Sequence, residues 1–186
     1  MSVNLAKHYF TISEYERMGE TGVFAPDARL ELIEGKIIEM SPIGSHHAAC
    51  VERISEHLHA IAQGRFLVRA QNPIVTNDFS EPQPDISVLR FREDRYQSAH
   101  PRPHDILLVI EVADTTVPFD RRVKTSLYAR AGISEFLLFN LPADKAEWFS
   151  EPEGDAYKNV QVLQRADRFE SLAVAGLSLD IGTIIG

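Results

Sequence analysis

Two acidic residues stand in surroundings that rarely accommodate a charge. Glu111 interrupts the apolar run D-I-L-L-V-I-E-V-A of residues 105–113, and Asp85 follows Pro84 at the start of the run I-S-V-L-R-F. A buried, unpaired carboxylate is so unfavourable that it must be neutralised, paired or bound to a cation. Two carboxylates on neighbouring strands would supply the hard oxygen ligands that Mg²⁺ or Mn²⁺ prefers. We therefore interpret Asp85 and Glu111 as a candidate metal site.

Each acid also has an ordinary structural interpretation. Glu111 could form a core ion pair with an arginine or lysine, or it could lie where its strand reaches solvent. Asp85 could be a turn residue at the start of a strand, a position that aspartate favours. The presence of both acids on neighbouring strands favours the metal site over these alternatives.

An ammonium group for this site would have to come from outside the strand of Glu111. Residue 113 shares a face with Glu111, because side chains i and i+2 point the same way, and it is an alanine. Lys124 is the best candidate, since Leu127 and Tyr128 follow it on one apolar helix face. The alternative is a lysine whose stem covers core surface while its amine reaches water.

These residues need a scaffold that brings them together. Segments 105–113 and 135–141 have the composition of strands buried on both faces, and a helix is predicted between them at 119–131. Such a strand–helix–strand unit makes the two strands parallel, with a right-handed crossover. The other elements are predicted as helices at 11–20 and 45–63 and as strands within 30–40 and at 65–75, 84–91, 146–150 and 160–165.

Length and composition restrict the class of protein. The 186 residues fit a single domain, 1–186, of class α/β, and the one cysteine, Cys50, cannot form an internal disulfide. No stretch approaches the roughly 20 apolar residues of a membrane span, which predicts a cytoplasmic protein without a membrane partner. The formal net charge of −8 counts against a broad nucleic-acid-binding surface, but it fits a carboxylate site that a cation completes.

Four segments together resemble a known family. They are L-E-L-I-E-G-K-I-I-E-M-S-P at 30–42 followed by His47, then E-P-Q-P-D at 81–85, then L-L-V-I-E-V-A at 107–113, and last Lys124 with the segments 127–133 and 135–139. Over roughly residues 10–150 the chain is similar to the Uma-type family of restriction-endonuclease-like proteins. The resemblance implies a PD-(D/E)XK nuclease core, in which a mixed central sheet is flanked by helices. It also implies that the motif lysine has moved to the following helix, where Lys124 lies.

The activity that the resemblance implies is metal-dependent cleavage of phosphodiester bonds in nucleic acid, with DNA as the expected substrate. Under this hypothesis Asp85 and Glu111 hold one or two Mg²⁺ or Mn²⁺ ions, and the Val112 carbonyl is a further metal ligand. Lys124 would orient the attacking water or stabilise the developing negative charge. Three weaker candidates are His47 as a contact to phosphate or water, Glu31 as a supporting carboxylate and Gln83 as a neighbour of the site.

Other functions stay open at this point. The chain could be a catalytically inactive member of the nuclease fold that acts as a binding subunit, or a glycosidase that uses two carboxylates without metal. The arginine- and histidine-rich loop 90–104, with Arg121 and Arg122, could line a groove for phosphates or be an ordinary solvated loop. We also expect a homodimer, for which the apolar C-terminal segment from Leu172 to Ile185 could form the interface.

Overall fold

The apolar run around Glu111 forms the long central strand β5, Ile106–Ala113, in which seven of eight residues are buried. In the computed structural model, which describes residues 6–186, this strand lies in a six-stranded sheet of order β3-β4-β5-β6-β7-β8. Strands β5 and β6 are parallel, and every other neighbouring pair is antiparallel. The predicted mixed sheet and its parallel central pair are therefore confirmed. The other strands are β3 Phe66–Ala70, β4 Ile86–Arg90, β6 Glu135–Asn140, β7 Lys145–Glu153 and β8 Ala156–Gln164.

A helix of three parts connects β5 to β6. It begins as α3, Val117–Phe119, passes through a π-helical turn, Asp120–Lys124, and ends as α4, Thr125–Arg130. The prediction of 119–131 was two residues late at the start, and it did not include the π-helical turn. Such turns are rare and occur often at functional sites, and here Lys124 is its last residue.

Each face of the sheet is covered by one layer. Helix α2, Ser45–Ala62, packs on one face together with the C-terminal segment, and the 117–130 helix packs on the other face. The apolar stripe of α2 faces the sheet, with Val51, Ile54 and Leu58 buried. Outside the main sheet lie α1 Ile12–Glu20, the hairpin of β1 Leu30–Ile33 and β2 Lys36–Glu39, the pair β9 Arg168–Glu170 and β10 Ser178–Asp180, and the short helix α5 Ile181–Ile185.

The C-terminal segment is part of the core, which corrects the proposed dimer interface. Leu177, Leu179, Ile181 and Ile184 are almost completely buried against the body of the same chain. Because these side chains already pack against the α2 layer, they cannot also contact a second copy. Of the large apolar residues in this segment, only Leu172 is strongly exposed.

Several predicted strands end earlier or begin later than their sequence pattern indicates. Strand β3 stops at Ala70 rather than at residue 75, because Gln71 adopts a positive φ of 53° and turns the chain. Asp85 lies just before β4 rather than inside it, and its carbonyl accepts a hydrogen bond from the Gln71 N–H. The β7–β8 hairpin is longer than predicted, at nine residues for each strand.

The segment that leads to β4 carries a second buried acid, Glu81. Its backbone pairs with Leu32 of β1, and one of its carboxylate oxygens, Oε2, is buried without a hydrogen-bond partner among the described residues. Burial raises the pKa of Glu81 to about 7, and the nearby charge of Glu16 adds to this shift. Glu81 therefore favours the protonated form in the folded protein.

We expect the substitution Glu81→Gln to stabilise the protein at high pH. The pKa of Glu81 is raised on folding, so its contribution to stability is complete below about pH 4.5 and is lost as the pH rises through about 7. The amide of the variant would stay neutral throughout. The melting temperature of the variant should therefore match that of the parent at pH 4 and exceed it by several degrees at pH 8.5. The exposed residue Glu52 provides a control, since Glu52→Gln should show no such trend.

No helix within residues 6–186 is long and apolar enough to cross a membrane. The cytoplasmic location stays a prediction.

Candidate active site

Asp85 and Glu111 meet at one edge of the sheet because β4 begins where β5 ends. The register pairs Ile86 with Ile110, so the residues next to them, Asp85 and Glu111, lie side by side. The Asp85 N–H lies 3.4 Å from Glu111 Oε2, and the Val112 N–H donates to Asp85 Oδ2 at 2.9 Å. Both carboxylates are almost completely buried.

Lys124 completes the centre from the helix above. Its Nζ lies 3.0 Å from Glu111 Oε1 and 3.4 Å from Glu31 Oε1. Asp120, one helical turn earlier, places Oδ1 at 3.9 Å from the same nitrogen. The side chain of Lys124 is 5% exposed, so it does not extend to water as the alternative interpretation required.

Glu111 is fixed by two donors on the same helix. Its Oε1 atom accepts hydrogen bonds from Lys124 Nζ and from the Tyr128 hydroxyl, the latter at 2.6 Å. Burial raises the pKa of Glu111 to about 8, the Lys124 ammonium opposes this shift, and the charges of Asp85 and Asp120 reinforce it. The Oε2 atom, by contrast, has only the long contact with the Asp85 N–H among the described residues.

The centre brings together more acidic side chains than basic ones. Glu31, Asp85, Glu111 and Asp120 surround one ammonium group. Burial alone would lower the pKa of Lys124, but the charges of Glu111, Glu31 and Asp120 raise it above its usual value, so the amine stays charged. Four acidic side chains beside one ammonium group and one imidazole would be a suitable environment for a further cation, which Glu111 would bind after losing its proton.

Asp85 is held in its ionised form by its neighbours. Burial alone would raise the pKa of Asp85, but the hydrogen bond and charge of His47 and the Val112 N–H hold it below its usual value. His47 Nε2 lies 3.0 Å from Asp85 Oδ2, and the Gln71 amide donates to Oδ1 at 3.3 Å. His47 Nδ1 is buried and has no partner within the described residues.

Glu31 and Gln83 lie beside this centre, in different ways. Glu31 Oε1 contacts Lys124, and Glu31 Oε2 accepts a hydrogen bond from the backbone N–H of Gln83. The side-chain amide of Gln83 donates to the carbonyl of Leu30 instead of to either central carboxylate. The backbone N–H of Gln83 therefore helps to orient Glu31.

An open cleft of about 440 Å³ exposes this centre to solvent. Its rim is formed by the loop after β2, which carries Met40 and Ile43, by the loop after β5, which carries Asp114, and by Phe119 of α3. Six acidic side chains line the cleft, whereas Arg29 and Lys124 are its only arginine or lysine among the described residues. A nucleic acid would therefore need cations to approach this surface.

Three residues that contact the centre, Gln71, Asp120 and Tyr128, were not among those predicted from the sequence. Asp120 and Tyr128 could have been predicted from the sequence. Together with Lys124 they follow one another at intervals of four residues, so all three share a helix face. No sequence pattern predicted Gln71, because its contact with Asp85 depends on the turn after β3.

The basic loop 90–104 is not part of this cleft. It connects the end of β4 to the start of β5, whereas Asp85 and Glu111 lie at the opposite ends of these two strands. Arg92 pairs with Asp94 within the loop, and Arg121 pairs with Glu147 of β7. The suggested groove that combines this loop with Arg121 and Arg122 therefore does not form.

The donor set fits a hard divalent cation that keeps several waters. Within residues 6–186 no group of three or more His, Cys, Asp or Glu side chains is placed so that it could hold a metal ion. Mg²⁺ is usually bound by one or two carboxylates with water in its other positions, so a closed cage is not required. Glu111 Oε2 has no strong donor among these residues, and Asp85 is ionised, which makes both carboxylates suitable ligands.

A mixed sheet with acids at adjoining ends of two central strands, and a lysine on the crossover helix, defines the class of restriction-endonuclease-like proteins. The chain belongs to the Uma2 family, described as "Putative restriction endonuclease", whose model matches residues 12–182. This match confirms the resemblance noted in the sequence, and it identifies the protein as a member of a nuclease family.

A solved structure supports the fold. The chain is similar to "a putative nuclease belonging to DUF820 from Anabaena variabilis", with a TM-score of 0.74 over 95% of this chain and 97% of the other. At 15% sequence identity this likeness shows the fold alone. No curated protein matches the chain.

Proposed function

We propose that this protein is a metal-dependent endonuclease that hydrolyses phosphodiester bonds in nucleic acid, with DNA as its substrate. The observation that carries the proposal is the convergence of Asp85, Glu111 and Lys124 at the base of an open cleft. Membership of a family described as restriction endonucleases supports DNA over other phosphodiesters.

Asp85, Glu111 Oε2 and the Val112 carbonyl would hold Mg²⁺ or Mn²⁺. The Val112 N–H points to Asp85, and in a strand the carbonyl of a residue shares the side of its N–H. When bound, such an ion activates water and draws charge from the phosphoryl oxygens. The ion would also bring positive charge to a cleft lined by acidic side chains. It would thereby weaken the repulsion between these acids and an approaching phosphate.

Side chains around the proposed metal site would orient the phosphate, the attacking water and the metal ligands. Lys124 is the ammonium group at the centre, and its charge would stabilise the negative charge that develops on the phosphoryl oxygens or orient the attacking water. Glu31 and Asp120 would keep Lys124 in place when Glu111 turns to a cation. His47 would hold Asp85 ionised and correctly oriented.

A cleavage assay tests the proposal. Plasmid DNA and a labelled RNA of mixed sequence would be incubated with the protein in Mg²⁺, in Mn²⁺ and in EDTA. We expect cleavage of DNA with metal and none in EDTA, and we expect Asp85→Asn to lower the rate at least about a hundredfold. Asp114→Asn is the matched control, since this carboxylate lies exposed on the same cleft rim and should leave the rate within a few-fold.

The failures of this assay would have separate meanings. Binding of Mn²⁺ without cleavage of DNA or RNA would favour an inactive member of the fold that serves as a binding subunit. Preference for RNA would keep the chemistry and change the substrate. Activity that persists in EDTA would contradict the proposal, because the two carboxylates would then act without a metal.

A further inference from the structure

Strand β8 forms an uncovered edge of the main sheet. It lies last in the strand order, so one side of its backbone has no neighbouring strand among the described residues. Seven of its nine residues are exposed, including Val160 at 56% and Val162 at 46%. Leu172, at 71%, and the half-buried Trp148 lie next to the strand, where they line the same shallow surface as Val160.

This edge has few of the features that normally prevent strand pairing. Natural edges are protected by short length, charge, proline or bulges. Between Ala156 and Gln164 the only charged residue is Lys158, and there is no proline. The opposite edge, β3, has five residues and none of them is exposed. Strand β8 is thus the long and unprotected edge of the sheet.

We propose that β8 pairs antiparallel with β8 of a second copy of this chain, with Gln161 opposite Gln161 at the two-fold axis. In this register Val160 lies opposite Val162 of the second copy. On the other side of the axis, Val162 lies opposite Val160 of the second copy. Since residues 160 and 162 point to the same face, four valines would form one apolar patch.

The charge distribution makes a second copy the suitable occupant. The chain has a net charge of −8, but none of its 27 acidic residues lies in β8, so the usual repulsion between copies is absent at this edge. In the proposed register Lys158 faces Gln164, which keeps the two lysines apart. The order Val-Gln-Val of residues 160–162 therefore complements itself, and within residues 158–164 no like charges face each other.

The proposed pairing leaves each active site complete within one chain. The two-fold axis of an antiparallel strand pair stands perpendicular to the sheet, and it reverses the direction of every strand. The ends of β5 that carry Glu111 would therefore point in opposite directions in the two copies. The dimer joins two independent centres, so separation of the copies should not lower the activity per chain.

Sedimentation equilibrium of the full chain tests the pairing. We expect the wild-type protein to have about twice its 20.9 kDa chain mass at micromolar concentration. Val160→Lys and Val162→Lys each place a charge in the proposed valine patch, and we expect them to raise the dissociation constant at least tenfold. Val23→Lys is the matched control, because Val23 is 61% exposed and lies in the turn after α1, outside the main sheet; it should behave as the wild type.

A cross-link tests the register separately. Gln161→Cys should join two chains with a short bis-maleimide, whereas Asn159→Cys should do so much less, since residue 159 would face residue 163 of the second copy. The native Cys50 is buried and should not react. A wild-type chain that stays monomeric at 200 µM, or lysine variants that dimerise normally, would overturn the proposal without any bearing on the nuclease assay.

Discussion

The affinity of wild-type protein for Mn²⁺ is expected to rise about tenfold for each pH unit up to about pH 8 and then to level off. Burial raises the pKa of Glu111 to about 8, so below this pH a bound ion must displace a proton from the carboxyl group. Asp85 adds no such dependence, since its pKa is held below the usual value and it is ionised throughout. Titration calorimetry between pH 6 and pH 9 would measure this slope.

The substitution Glu111→Gln should weaken the binding of Mn²⁺ and abolish its dependence on pH. The amide cannot lose a proton, and it replaces an anionic ligand with a neutral one. We expect the dissociation constant for Mn²⁺ to rise at least tenfold at pH 8 and DNA cleavage to fall about a thousandfold. Glu31→Gln serves as the control, because Glu31 contacts Lys124 and should leave the pH slope in place. An unchanged slope in Glu111→Gln would show that another group titrates.

The sequence predicted the pair Asp85 and Glu111 for a physical reason. A charge in the middle of an apolar central strand needs compensation, and the order of elements placed both acids on neighbouring strands. Lys124 could be predicted by similar reasoning, since it begins the apolar face of the helix that must cover the sheet. The roles of these residues in catalysis stay predictions, whereas their proximity is a property of the fold.

The surroundings of the centre were harder to predict from sequence. Gln83 was placed near the site because residues of like parity share a strand face, but residues 82–85 are not in a strand. Its side chain consequently turns to the Leu30 carbonyl. Asp120 was missed although its spacing of four residues from Lys124 predicts a shared helix face, and in the structure both lie in the π-helical turn at the centre.

Part of the negative charge of the chain, which has a formal net charge of −8, lies at the cleft. Six of the acidic side chains line one cleft, and the arginines of loop 90–104 lie at the other end of β4 and β5. An approaching phosphate therefore meets a strongly negative part of the surface. Divalent cations would reduce this local negative charge, so under the proposed function the binding of nucleic acid would depend on bound metal as well.

The substitution Lys124→Met should be the most destabilising change at this centre. It leaves Glu111, Glu31 and Asp120 buried without their shared ammonium group, and the loss of one partner of a buried ion pair costs about 3–5 kcal/mol. For a chain of this size the melting temperature should fall by about 10 °C or more in EDTA. Lys158→Met removes an exposed lysine and should change the melting temperature by no more than about a degree or two.

A divalent cation should restore much of this loss, because it can supply the positive charge that the variant lacks. Millimolar Mn²⁺ binds the folded state and should raise the melting temperature of Lys124→Met by more than that of the wild type. At pH 5 the deficit should shrink even without metal, since the unpaired carboxylates can then be protonated. DNA cleavage should stay at least about a hundredfold below wild type in Mn²⁺, because the ion replaces the charge of Lys124 in the fold but not its contact with the phosphoryl group. A variant as stable as the wild type in EDTA would show that these three acids do not depend on Lys124 for their burial.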